Sequence, residues 1–225
     1  MNKLAKFLLI IGVVYPMMQL ASQTKNITVS VDNPNLEANR YAFVVGNDHY
    51  VDPAISKLTS CRLDAERIAG YLKSVNGFSI PTEQVELLLD ADAETIQTSF
   101  IRLLEQIEQP RNSTFYFYYS GHGLPGHIVP TDFKQDDPKD LIAYEWIVSE
   151  LNKRNIRAKV FVIDACYAGS FIDTKSIPTY SEAAANIFGV ETGNTTVAFT
   201  ATSAYRVTPA GKHESLFTKY FLEGL

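Results

Sequence analysis

Five short apolar runs, mostly β-branched or aromatic, constrain this chain most: Tyr41–Val45, Val85–Leu89, Thr114–Tyr119, Val160–Ile163 and Thr196–Phe199. Runs of that length and composition suit strands buried on both faces. Between them Cys61, Ala65, Ile68, Leu72 and Val75 recur at four-three spacing, as do Ile96, Phe100, Leu103 and Ile107. Tyr144, Ile147 or Val148, and Leu151 repeat the pattern, and Ser215 to Leu225 reads as a last helix. Such spacing lines up one face of a helix each time. Strands alternating with amphipathic helices predict an α/β domain over residues 40–225. Its mostly parallel sheet has about five or six strands, joined by right-handed crossovers and covered by helices on both faces. A chain of 225 residues at 46% hydrophobic and 20% charged buries one full core, which excludes a disordered tail and a collagen-like fibre.

Lys3 and Lys6 precede the apolar run Phe7 to Leu20, which ends in the small residues Ala21 and Ser22. That order predicts a secretory signal peptide over residues 1–22, cleaved near Ala21 to Gln23, and hence a secreted or periplasmic protein. The run is interrupted by Pro16 and is shorter than the roughly 20 apolar residues that span a bilayer, so no membrane association is expected after cleavage. Residues 23–39 read as a lead-in segment. Charge is 20 − 25 = −5, and cleavage removes two lysines and no acids, giving −7. A net negative surface disfavours a nucleic-acid partner and favours basic peptides. Two cysteines, Cys61 and Cys166, are too few for a disulfide framework.

In an open parallel sheet, ligand sites lie beyond the carboxyl ends of the strands. Two predicted strand ends carry chemistry there. The Thr114 run leads into Ser120, Gly121, His122 and Gly123, and the Val160 run into Asp164, Ala165 and Cys166. If those strands are neighbours, imidazole and thiol face one substrate. An imidazole beside a thiol takes its proton or stabilises the thiolate, and then protonates the leaving amine. The amides of Gly123 and Cys166 are the candidate oxyanion donors. No third catalytic residue is evident. Cys61, on an inner helical face, is read as core. A zinc site from His122, His127, Asp132 and Cys166 matches no signature spacing, which leaves a metal-dependent hydrolase as the third-ranked reading.

These residues resemble the caspase-like cysteine peptidases, in particular the metacaspase and bacterial caspase-homologue branch. Tyr41 to Gly46 followed by Tyr50 resembles the first strand and loop of that family, and Leu58, Cys61, Asp64 and Ala65 its Leu-x-x-Cys-x-x-Asp-Ala segment. Ser120 to Gly123 is similar to its Ser-Gly-His-Gly, while Asp164, Cys166 and Gly169 fit its Asp-x-Cys-x-x-Gly. Ser215, Phe217 and Thr218 are similar to a late segment. The resemblance implies a caspase-like three-layer sandwich and a thiol endopeptidase with His122 and Cys166 as the dyad, acting on peptide or protein substrates.

It also implies an acidic pocket at Asp64, Ser120 and Asp164, hence cleavage after Arg or Lys. Caspases that cut after Asp carry a pocket arginine where this chain has Leu58. Tyr167 and Ala168 stand where the family commonly has His-Ser. Family members are often cut after the nucleophile, and Lys175 lies in the irregular stretch Asp173 to Gly193. No cofactor and no metal are predicted. Asp132, Asp136, Asp137 and Asp140 supply oxygen ligands without a recognisable calcium loop, so calcium activation stays open. A catalytically silent caspase-like binding or regulatory module is the alternative function, and the oligomeric state is unknown.

Overall fold

The computed structural model describes residues 39–135, 140–165, 195–201 and 215–225. Contacts divide the chain into two compact units, Met1–Asn33 and Pro34–Leu225, and every described residue belongs to the second. The expected signal peptide and all of the lead-in segment but Asn39 lie outside the described residues, as do Cys166, Lys175, Asp136 and Asp137. Among the described residues no helix is long and apolar enough to cross a membrane.

The elements run β1 (Arg40–Gly46), α1 (Cys61–Lys73), β2 (Val85–Leu89), α2 (Ala93–Glu105) and β3 (Thr114–Gly121), then the short strands β4 (Gly123–Leu124), β5 (His127–Ile128) and β6 (Ile142–Ala143). They continue with α3 (Tyr144–Lys153), β7 (Ala158–Ala165), β8 (Thr195–Thr200) and α4 (Leu216–Glu223). The central sheet has the order β2-β1-β3-β7-β8, and every pairing in it is parallel. All five predicted strands are there.

Strand parity explains why these runs lack polar alternation. Tyr41, Phe43 and Val45 of β1, Phe115, Phe117 and Tyr119 of β3, and Phe161, Ile163 and Ala165 of β7 pack in one core with α2 and α3. The residues between them, among them Ala42, Val44, Tyr118 and Val162, pack in a second core with α1 and α4. Successive side chains of a strand point to opposite faces, so a sheet covered on both sides needs apolar residues at every position. Phe100 of α2 knits the first core, with ring centroids 5.2 Å from Phe43, 5.7 Å from Phe115 and 5.5 Å from Trp146.

Three expectations about boundaries are corrected. Helix α1 ends at Lys73, leaving Val75 88% exposed rather than on the inner face, because Ser74 turns extended and its amide closes on the Gly70 and Tyr71 carbonyls. Ile107 is buried but lies past the end of α2. Strands β3 and β7 run on through Ser120–Gly121 and Asp164–Ala165, because each pairs with the other to its last residue. The small antiparallel sheet β4-β5-β6 was not foreseen. Its tight turn is Leu124-Pro125-Gly126-His127, with Gly126 at φ 78°, the conformation a type II turn demands at its third position.

Candidate active site

The register of β3 on β7 sets the site. Ser120 pairs with Asp164 and Gly121 with Ala165, so His122 and Cys166 are each the next residue in the sequence after a paired position. Both strands are central in the sheet, and at parallel spacing their ends are about 4.8 Å apart.

His122 follows β3 and is half-buried, with its ring tilted over Tyr50 at a centroid distance of 4.9 Å. Its Nε2 lies 2.7 Å from the carbonyl oxygen of Ser56. A carbonyl only accepts, so Nε2 carries the proton and the basic lone pair of the neutral ring is at Nδ1. Ser56 is a partner of His122 that the sequence did not reveal. Its contribution is a backbone oxygen, which no side-chain motif announces.

Gly123 opens β4 and pairs with Ile128. The Val129 amide donates to the His122 carbonyl at 3.2 Å. Antiparallel pairs alternate between bonded and non-bonded types, so the Gly123–Ile128 pair is non-bonded and the Gly123 amide faces the outer edge of the ribbon.

Asp64, Ser120 and Asp164 are brought together on the α1/α4 face, all at 5% exposure or less. The Ser215 amide donates to both carboxylate oxygens of Asp64 at 3.1 Å, and the Ser215 hydroxyl donates to Asp164. That hydroxyl in turn accepts the Thr218 amide at 2.9 Å, capping α4. Thr218 Oγ1 donates to Asp164 at 3.1 Å and meets the Tyr118 hydroxyl at 2.6 Å. Burial pushes the Asp64 carboxyl up to about 6, with the Ser215 amide pulling it down and the charge of Asp164 raising it further. Burial raises Asp164 likewise, against the hydrogen bonds of Ser215 and Thr218. Two carboxylates thus share a dry site in which the hydroxyls and amide donating to them are uncharged.

Cys61 is buried as a core residue, and burial pushes its thiol up despite a hydrogen bond with Ser120. Leu58 is partly buried against the cluster of Tyr50, Val129 and Phe133. His127 Nδ1 is held by the Pro125 carbonyl at 2.8 Å, and Asp132 accepts the Ala93 amide at 2.9 Å in the first turn of α2. Each is engaged within its own neighbourhood, and among the described residues no group of three or more His, Cys, Asp or Glu side chains could hold a metal ion.

The loop between β1 and α1 is built on polar groups that sequence spacing did not single out. Asn47 donates to the carbonyls of Ala91 and Val129 at 3.3 and 3.4 Å and accepts the Ala91 amide at 3.0 Å. Asp48 accepts the Cys61 amide at 2.9 Å and the Arg62 amide at 3.3 Å, satisfying the start of α1. Asp90, just past β2, accepts the amides of Asp48 and His49 at 2.8 and 3.0 Å, and pairs with His49 Nδ1 at 2.8 Å and Arg62 at 3.0 Å. Its partial burial works against ionisation, but these hydrogen bonds prevail and hold its carboxyl below the usual range.

Residues 39–225 match the family model described as the caspase domain. A curated protein described as a probable protease, from a Desulfuromonadales bacterium, is 28% identical over 148 residues. The match takes in 56% of this chain and 18% of that relative, so the chain spans about a fifth of the relative's length. Among solved structures, the crystal structure of caspase-1 from Spodoptera frugiperda superposes with a TM-score of 0.57 at 16% identity, covering 85% of this chain and 70% of that one. The arrangement of sheet and helices is the caspase-like α/β sandwich.

Proposed function

The chain belongs to the caspase-domain family, and on that footing we propose that it is an exported cysteine endopeptidase cutting after Arg or Lys with Cys166 and His122. Family membership and the relative described as a probable protease support a proteolytic hydrolase acting on peptides or proteins. The observation that carries the finer reading is the Gly121–Ala165 pairing together with the Ser56 carbonyl on His122 Nε2.

In this reading, Nδ1 of His122 takes the proton of the Cys166 thiol, and the thiolate attacks the carbonyl carbon of the scissile bond. The negative charge that develops on the carbonyl oxygen is met by the amides of Gly123 and Cys166. As the tetrahedral intermediate collapses, the C–N bond breaks and the imidazolium returns its proton to the leaving amine. Water then attacks the thioester, giving up a proton to His122 and regenerating the thiol. Throughout, the Ser56 carbonyl keeps the ring oriented and stabilises its positive charge.

The selectivity for Arg or Lys rests on Asp64 and Asp164, with Ser120 beside them. A guanidinium or ammonium placed at this pair relieves their mutual repulsion and gains charge-assisted hydrogen bonds. Selectivity for Asp finds no support, since Leu58 and not a cation occupies the matching position. The basic-apolar-small order of residues 1–22 supports export, and the net negative charge supports a peptide rather than a nucleic-acid partner. No cofactor is invoked, and calcium dependence is decided by assay with and without chelator.

The test is hydrolysis of fluorogenic Arg, Lys and Asp peptides by the full chain beside Cys166→Ala. Cleavage of the basic peptides that disappears in the variant is expected. Equal rates for the two proteins would remove the proposal.

A further inference from the structure

We infer that two buried phenols, Tyr50 and Tyr119, are positioning residues for the His122 imidazole, holding its backbone and ring so that Ser56 selects one tautomer. The inference rests on the reading of His122 as the base and deepens it.

The His122 amide donates to the Tyr50 hydroxyl at 2.8 Å, and the Tyr119 hydroxyl donates to the His122 carbonyl at 2.7 Å. Both backbone polar groups of one residue are therefore tied to side chains that come from different elements. Tyr50 lies in the loop after β1, and Tyr119 on β3 itself. Tyr50 and Tyr119 are 8% and 0% exposed, so bulk water does not compete for these bonds. The Tyr50 ring adds a third constraint by lying against the imidazole.

Gly121 belongs to the same construction. A Cβ there would sit 2.4 Å from the Tyr119 hydroxyl oxygen and 3.0 Å from that of Tyr50. The phenols thus converge on the residue before His122, in space that only glycine leaves open. The Tyr50 hydroxyl further contacts the Asn47 carbonyl at 3.3 Å, within the loop that also carries Ser56. One loop therefore supplies the hydroxyl on the His122 amide, the surface under the ring and the carbonyl on Nε2. A histidine serving only as a packed polar residue needs one of these contacts, not all of them.

The experiment uses the full chain as wild type, Tyr50→Phe and Tyr119→Phe, with folding checked by circular dichroism. Nitrogen-15 spectra of labelled histidine at alkaline pH report the His122 tautomer, and kcat and KM are measured on whichever basic peptide the wild type cuts. We expect wild-type His122 as a single Nε2–H tautomer. Tyr50→Phe should give a mixture of tautomers and lower kcat roughly 10- to 100-fold with KM within about twofold, as loss of acid–base alignment does. Tyr119→Phe keeps the Val129 amide on the same carbonyl and is the milder variant, expected to move both readouts in the same direction. Should Tyr50→Phe fail to fold, Tyr119→Phe decides. Unchanged tautomer and kcat in the folded variants would overturn the inference while leaving the peptidase reading in place. A changed tautomer in a protein that cuts no peptide would keep the inference and remove the peptidase reading.

Discussion

Asp64 is the residue at which charge, burial and selectivity meet. Its carboxyl is pushed up to about 6 by burial and by Asp164, whereas in the unfolded chain it titrates in the ordinary carboxylate range. The folded state therefore binds this proton more tightly than the unfolded state. The associated stability is full below about pH 4, falls as pH rises toward 6, and stays lost above it. Asp64→Asn removes that slope. Relative to the variant, the wild type should lose about 2–3 kcal/mol between pH 4 and 7 in urea unfolding. The same substitution should lower kcat/KM for Arg and Lys peptides roughly 10- to 100-fold, the worth of a charge-assisted hydrogen bond. For the wild type, cleavage of basic peptides should rise with pH through about 6 as the carboxylate ionises. A variant that cuts Arg peptides as well as the wild type at pH 7.5 would take Asp64 out of the pocket.

Helix α4 meets the sheet at the Ser215 cap. The Ser215 hydroxyl donates to Asp164 and accepts from Thr218, so one oxygen ends the helix and satisfies a buried carboxylate. Ser215→Ala removes both. Loss of a cap costs about 1 kcal/mol and loss of one of the two hydroxyls donating to the buried Asp164, which keeps Thr218, about 1–3 kcal/mol more, so a drop of about 2–4 kcal/mol in denaturant unfolding is expected. Ser215→Thr keeps the hydroxyl and should recover most of it. On the opposite face, Phe100→Ala should cost about 3–5 kcal/mol, because this fully buried ring contacts three other core aromatics closely and leaves a cavity that β1 and β3 cannot collapse into. Measured values under 1 kcal/mol in either case would mean that the element tolerates the loss by repacking.

For the whole molecule, the architecture was legible because a parallel sheet buried on both faces leaves continuous apolar runs and three-four spacing behind it. Cys61, Ile68, Leu72, Ile96, Phe100, Leu103 and Leu151 all face inward as their periodicity implied. What escaped sequence reading follows from physics that leaves no periodic trace. Two-residue strands such as β4 and β5 are too short to alternate. Asp48 satisfies the start of α1 from beyond the usual cap position, and Asp132 reaches the Ala93 amide from a later loop, in addition to the local Asp92 cap of α2, so neither stands where a local signal is sought. The carbonyl of Ser56 has no residue-type signature at all. Ser120 and Asp164 were expected past their strands, yet they are the last paired rungs but one, because β3 and β7 extend each other. Of the candidate site, His122 was legible as a residue type just past a strand end, while the loop that holds it was not.

The account turns on a thiol activated by an imidazole. It is tested most directly by the pH dependence of Cys166 carboxymethylation by iodoacetamide, followed by peptide mass spectrometry in wild type and His122→Ala. Cys61, whose thiol burial pushes up, serves as the internal control. In the wild type, Cys166 should react well below the ordinary thiol range near 8.5, and loss of His122 should return it to that range while Cys61 stays unreactive in both. A Cys166 that titrates as an ordinary thiol with His122 present, or that responds identically in the two proteins, would contradict the account.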